Sequence, residues 1–108
     1  MTFTNGVDII TDFVAGTDDL DVATAATAPT TLIGVANNAN LVNDTSYVAY
    51  GTWNATAQSF TVATVFDATS AKDAMVVADG DGAETFLTST TVVILDDLTA
   101  ALVAGDFI

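Results

Sequence analysis

The sequence predicts an all-β domain, a small sandwich or roll of about eight short strands with one or two short helical turns. Three observations predict it. Aromatic and β-branched residues gather in short runs, as in residues 46–53 and 59–66, instead of recurring every three or four positions. Polar breaks separate these runs, among them Ala15-Gly16-Thr17-Asp18, Asn54-Ala55-Thr56-Ala57-Gln58 and Asp79-Gly80-Asp81-Gly82. The run Thr91-Val92-Val93-Ile94-Leu95 is apolar almost throughout, as a strand covered on both faces must be. With 108 residues there is material for one core and not for two, so residues 1–108 read as a single domain.

Residues 1–5 read as a lead-in strand with Phe3 as its anchor. Val7, Ile9, Thr11 and Phe13 then alternate with Asp8, Ile10 and Asp12, the pattern of a half-buried strand. A turn follows at residues 15–18, where Gly16 is free to take positive φ. Leu20 and Val22 alternate with Asp19 and Asp21 in a second extended segment. Residues 23–31 are small, contain the only proline, Pro29, and form a connector. Residues 32–35 suit a short strand or a turn, and residues 40–44 a helical turn capped by Asn38 or Asn40.

The clearest element is a hairpin, residues 46–53 and 59–66 about the loop at residues 54–58. Residues 67–73 form a polar loop or one helical turn. Residues 74–78 form a strand that runs into the turn at residues 79–82, and residues 84–87 restart a strand. After the apolar strand at residues 91–95, residues 96–103 read as a short helix, with Asp96 and Asp97 at the positive end of its dipole and Gly105 ending it. The chain closes on Gly105-Asp106-Phe107-Ile108, an apolar terminus after one acid.

Charge narrows the function. A net charge of −13, with Lys72 as the only basic residue, argues against a nucleic-acid partner and disfavours anionic membrane surfaces. No uninterrupted apolar run reaches the eighteen or so residues of a membrane helix, so membrane insertion is not expected. No basic stretch followed by an apolar one marks an N-terminal secretory signal. The absence of His and Cys removes disulfides, thiolate and imidazole metal sites, and the nucleophile–histidine arrangements of hydrolases. Any metal would be a hard, oxygen-liking cation, for which calcium is the candidate.

Five of the fourteen acids, Asp8, Asp12, Asp18, Asp19 and Asp21, fall within residues 8–22, with no base among them. Clustered carboxylates repel, so such a face wants full hydration or a bound cation. The alternative to calcium is a solvated acidic face, with Asp18 or Asp19 satisfying turn amides. Asp79, Asp81 and Glu84 open like a calcium loop, but Ala83 and Glu84 stand where an EF-hand needs Asp or Asn and then Gly. A tight Asp-Gly turn is the favoured reading there. Fourteen acids make chance carboxylate pairs unavoidable, and no enzyme is expected. Trp53 with Tyr47, Tyr50 and Phe60 suits a cross-strand core cluster better than a sugar-stacking platform. Asn43-Asp44-Thr45 and Asn54-Ala55-Thr56 match the N-glycosylation pattern by coincidence.

Two stretches carry a family resemblance. Asp8-Ile9-Ile10-Thr11-Asp12-Phe13, followed by Gly16-Thr17-Asp18-Asp19-Leu20-Asp21-Val22, resembles the D-x-I-x-D-F…G-x-D-x-[IL]-D-[LV] element. That element follows the calcium β-roll in RTX proteins exported by type I secretion, including serralysin-type proteases and some surface-layer proteins. The run from Val76 through Val92-Val93-Ile94-Leu95 to Gly105-Asp106-Phe107-Ile108 resembles the C-terminal ends of the same proteins. The resemblance covers both ends, about half the chain. It departs from the family in lacking the glycine-rich nonapeptide G-G-x-G-x-D-x-U-x, so the roll that Asp8 and Asp12 would cap is absent.

The resemblance implies the C-terminal part of a larger exported protein, secreted or held at the cell surface. Its partner would be the type I secretion machinery, with Asp106, Phe107 and Ile108 belonging to an uncleaved export signal. The alternative is a surface-layer, filament or adhesin domain that self-associates through its β edges. A weaker alternative is a carbohydrate-binding module built on Trp53.

Overall fold

The architecture is set by one long strand in the middle of the chain. The computed structural model describes residues 3, 7–21, 30–31, 45–79 and 91–108, with the backbone alone at residues 30, 31, 45, 46, 78, 79 and 91. Among the described residues six strands lie in one sheet: β1 (Asp8–Ile10), β2 (Thr30–Thr31), β3 (Thr45–Asn54), β4 (Ser59–Val62), β5 (Asp73–Asp79) and β6 (Thr91–Leu95). The order is β1-β6-β5-β3-β2, and β4 also pairs β3. Gly51 faces Val62 on one side and Asp73 on the other, so β4 shares the β3 edge that β2 occupies at Tyr47 and Val48. The β3–β4, β3–β5 and β5–β6 ladders are antiparallel; β1 with β6 and β2 with β3 are parallel. The domain is all-β, and no helix among the described residues is long and apolar enough to cross a membrane.

The hairpin forms where β-branched and aromatic residues alternate, and it turns where they stop. Asn54 pairs Ser59, leaving a loop at residues 55–58. The Asn54 side-chain oxygen accepts the Ala57 N–H at 2.9 Å, and Gln58 closes the loop at φ 49°. Gly51 is required for close approach: a Cβ there would stand 2.0 Å from the Thr61 carbonyl oxygen and 2.8 Å from the Phe60 ring. The expected second strand stops early. After one further bond, Ala63 N–H to Tyr50 O, the chain leaves the ladder, and Phe66 meets Tyr50 edge-on with ring centroids 5.5 Å apart. Residues 67–71 close as a loop through reciprocal Asp67–Ala71 backbone bonds.

Period-two alternation divides the apolar residues between two faces. Tyr47, Ala49, Met75, Val77 and Ile94 point to the first, joined by Phe60 and by Phe3, whose N–H donates to the Gln58 carbonyl. Val48, Ala74, Val76 and Leu95 point to the second, covered by Leu20, Leu98 and Phe107, with Phe13, Phe66 and Leu102 at its margin. A central strand such as β6 is apolar on both sides because both faces need cover: Ile94 and Leu95 point opposite ways, and both are fully buried. Each such side chain contributes about 1.5–3 kcal/mol of burial.

Two expectations are corrected. Residues 96–103 are not helical; the helical turn is a 3₁₀ turn at Ala104–Asp106, and Gly105 lies inside it. Asp97 takes φ 68°, off the right-handed helical path. The amides of this segment bond to other elements: Asp97 N–H to the Asp73 carboxylate, Leu98 N–H to Lys72 O, and Leu102 N–H, which a helix would tie to the Leu98 carbonyl, to the Tyr50 hydroxyl. The alternation at the start of the chain also ends sooner than expected. β1 is three residues long, the chain bends at Thr11 and Asp12, and Phe13 joins Ile10 on the second face while Val7 packs on the first. The expected connector at residues 23–31 ends in strand β2 at Thr30–Thr31; its residues 23–29 and the expected elements at residues 32–35, 40–44 and 84–87 lie outside the described residues.

Candidate functional site

The two ends of the described chain meet, and the contact is built mostly from backbone. β1 pairs β6 in register, Asp8 with Val93 and Ile10 with Leu95, and Asp96 N–H continues the ladder to Ile10 O at 2.9 Å. Leu20 bridges Phe107 in parallel: Leu20 N–H reaches the Asp106 carbonyl at 2.7 Å, and Ile108 N–H reaches the Leu20 carbonyl at 3.2 Å. Between these contacts lies the turn that begins at Val14, whose carbonyl accepts both the Thr17 and Asp18 amides. Gly16 holds φ 78°, the conformation its sequence position suggests.

Asp106 fastens this turn to the terminus. Its side chain is buried, and each oxygen accepts one backbone amide: Oδ1 from Gly16 at 2.6 Å, Oδ2 from Val103 at 2.7 Å. A buried carboxylate is tolerated only when its oxygens are satisfied in this way. Phe107 is buried beside it, while Ile108 is exposed. Tyr50 accepts the Leu102 N–H at 2.9 Å. Burial raises its pKa above the ordinary value, the Leu102 bond opposes that rise, and the Asp106 charge adds to it.

The acids of the opening segment stand apart from this network. Asp8, Asp12, Asp19 and Asp21 are exposed, Asp21 having interactions of its own. Asp18 Oδ2 accepts the Val14 N–H at 2.8 Å, the turn-satisfying role expected for Asp18 or Asp19. Among the described residues no three acids come together to hold a metal ion. The Asp79 backbone ends β5 opposite Thr45; its side chain, Asp81 and Glu84 lie outside the described residues.

A second acidic group was not singled out by sequence reasoning. Asp73 is buried at the head of β5, where Oδ2 accepts Trp53 N–H at 2.7 Å and Oδ1 accepts Asp97 N–H at 2.9 Å. Lys72 pairs with Asp97, which raises the lysine pKa. A signal was there to find: Asp73 continues the period of Met75 and Val77, and Asp96 that of Val92 and Ile94, so both fall on a buried face. Tyr47, Trp53 and Phe60 share the core of that face, and Tyr50 packs on the other.

No family model matches this chain, and comparison with curated proteins and with solved structures returns no significant match to either.

Proposed function

We propose that this chain is the non-catalytic C-terminal domain of a bacterial protein exported by type I secretion, acting outside the cell or at its surface. Residues Asp106, Phe107 and Ile108 would carry the export address, and the type I machinery would be its partner. One observation carries this reading. The two stretches that resemble RTX post-repeat domains lie at opposite ends of the sequence, and they interlock through β1–β6, Leu20–Phe107 and the Asp106–Gly16 bond. Their joining supports treating them as one element.

The burial of Asp106 and Phe107 adds a condition. A terminus used as an address is legible only before the domain folds, and self-repulsion from a net charge of −13 weakens premature folding. The test is a reporter fused ahead of the whole chain in a host carrying a type I exporter. Deletion of residues 106–108 is expected to abolish release into the medium. Ile94→Asp, which disrupts the core but leaves the terminus intact, is expected to be released. Release of the truncated fusion at the full level sinks the proposal.

Calcium enters by donor chemistry alone, since a chain with fourteen acids and neither His nor Cys offers a metal only oxygen. A ligand that binds only the native form raises the melting temperature. Melting in EDTA and then in millimolar calcium therefore decides that part, and no shift removes calcium from the account.

Self-association through β edges is the second reading. Ile9 on the outer strand β1 and Val62 on β4 are exposed apolar residues at opposite margins of the sheet. Growth in size-exclusion profiles with concentration would favour it over the export domain.

A further inference from the structure

At the foot of the β5–β6 ladder the register sets two carboxyls face to face. Ala74 pairs Leu95 and Met75 pairs Ile94, so one step outward Asp73 stands opposite Asp96, on the face of Met75 and Ile94. Like charges directly opposed across antiparallel strands destabilise a sheet. Here Asp73 is buried and Asp96 half-buried, which weakens the screening that water would supply. Both Asp73 oxygens already accept amides, from Trp53 and Asp97. The nearby ammonium, Lys72, is engaged by Asp97 one rung further out.

We propose that Asp73 and Asp96 form a proton-operated clasp. With a proton on Asp96 the two carboxyls share it in a hydrogen bond and hold β5 to the segment after β6; without it their repulsion loosens that corner. The consequence reaches the second face, because Leu98, which helps cover it, is anchored through its N–H to the Lys72 carbonyl in the same corner.

Burial, the facing Asp73 charge, the hydrogen bond with Asp73 and the Asp97 charge all raise the Asp96 pKa, and Lys72 opposes them. From the β1 side, which reaches Asp96 through Ile10, the acids are Asp8 and Asp12, both exposed. β3 and β4 contribute no charged side chain. A carboxyl whose pKa rises on folding stabilises the fold in its protonated form. Its contribution is complete below the ordinary value of 3.8 and is lost as pH climbs through the raised one. Acid therefore tightens this corner, and raising the pH through the Asp96 transition loosens it.

The test is thermal unfolding of the whole chain in EDTA from about pH 3.5 to pH 8, for wild type, Asp96→Asn and Asp12→Asn. Both variants remove one negative charge, so general self-repulsion falls equally in each. Wild type is expected to melt lower as pH rises, and Asp12→Asn to follow the same slope. Asp96→Asn is expected to flatten the slope and to melt roughly 4 °C or more above wild type at the neutral end. Parallel curves for the two variants overturn the clasp. Carbon-13 titration of the side-chain carboxyls in wild type needs no variant to fold. An Asp96 midpoint above the ordinary value of 3.8 supports the clasp, and one at or below it overturns it.

Discussion

Two sets of carboxylates in this chain have opposite fates. The dense set, Asp8, Asp12, Asp19 and Asp21, is exposed, with Asp18 turned back to cap a single amide. The sparse set, Asp73 and Asp106, is buried, and its four oxygens each accept a backbone amide. Density along the sequence marks a face that water can hold, since carboxylates packed so close cannot all leave solvent. A single acid set into an apolar alternation marks the reverse, a charge the fold is built around. Asp106 ties the terminus to the opening turn, and Asp73 ties β3 to the segment after β6.

The largest effect that would break this contrast lies at Asp106. Asp106→Ala removes a buried carboxylate that accepts the part-buried Gly16 and Val103 amides, at a cost of about 1–3 kcal/mol. That is a sizeable part of the 5–15 kcal/mol that holds a typical domain. Urea denaturation of the variant measures it, and a loss under about 1 kcal/mol would put Asp106 among the solvated acids. Asp106→Asn, which keeps one carbonyl acceptor, is expected to recover part of the loss.

What the sequence made legible follows the same line. The all-β class, the hairpin, the strand at residues 74–78 and the doubly covered β6 were readable because alternation and turn residues record local geometry directly. The Gly16 turn was readable for the same reason, and the structure sets Asp18 on its amide. The false helix at residues 96–103 came from a pattern that fits an isolated helix. Its amides are instead committed to Asp73, Lys72 and Tyr50, partners that sequence distance conceals. Asp73 went unremarked because an acid at the edge of an apolar run looks like the end of the strand, whereas here it is the strand's first buried position. Gly51 went unremarked too, since only the approach of β4 forbids a Cβ there.

A smaller effect sharpens the contrast from the side of the exposed acids that do cap amides. Asp18→Ala removes the acceptor of the Val14 N–H and is expected to cost about 1 kcal/mol, as loss of a helix cap does. Asp67 is the companion case. Its Oδ1 accepts the Thr69 and Ser70 amides, which lower its pKa below the ordinary value. The sign is opposite to that of Asp96: a lowered pKa contributes stability above the unfolded value of 3.8 and loses it as pH falls through the folded one. Asp67→Ala is therefore expected to lower the melting temperature at neutral pH, by an amount that shrinks as pH falls below 3.8. A gap that widens in acid would assign Asp67 another role.

The smallest expected effect is the strictest test, because it concerns the acids that drew most notice in the sequence. Single changes Asp8→Asn, Asp12→Asn and Asp19→Asn in EDTA should each stay within about 0.5 kcal/mol of wild type, the usual range for exposed substitutions. Removing one charge from so acidic a face should if anything stabilise slightly, through reduced self-repulsion. The same comparison in millimolar calcium then discriminates between water and a cation as the partner of that face. If water holds it, the difference between Asp12→Asn and wild type is the same in both media. A difference that opens only in calcium would mean that a bound cation gathers these carboxylates. The dense set would then serve as a ligand shell, and the division between solvated and structural acids would give way to one between two kinds of structural acid, satisfied by metal at one end of the chain and by amides at the other.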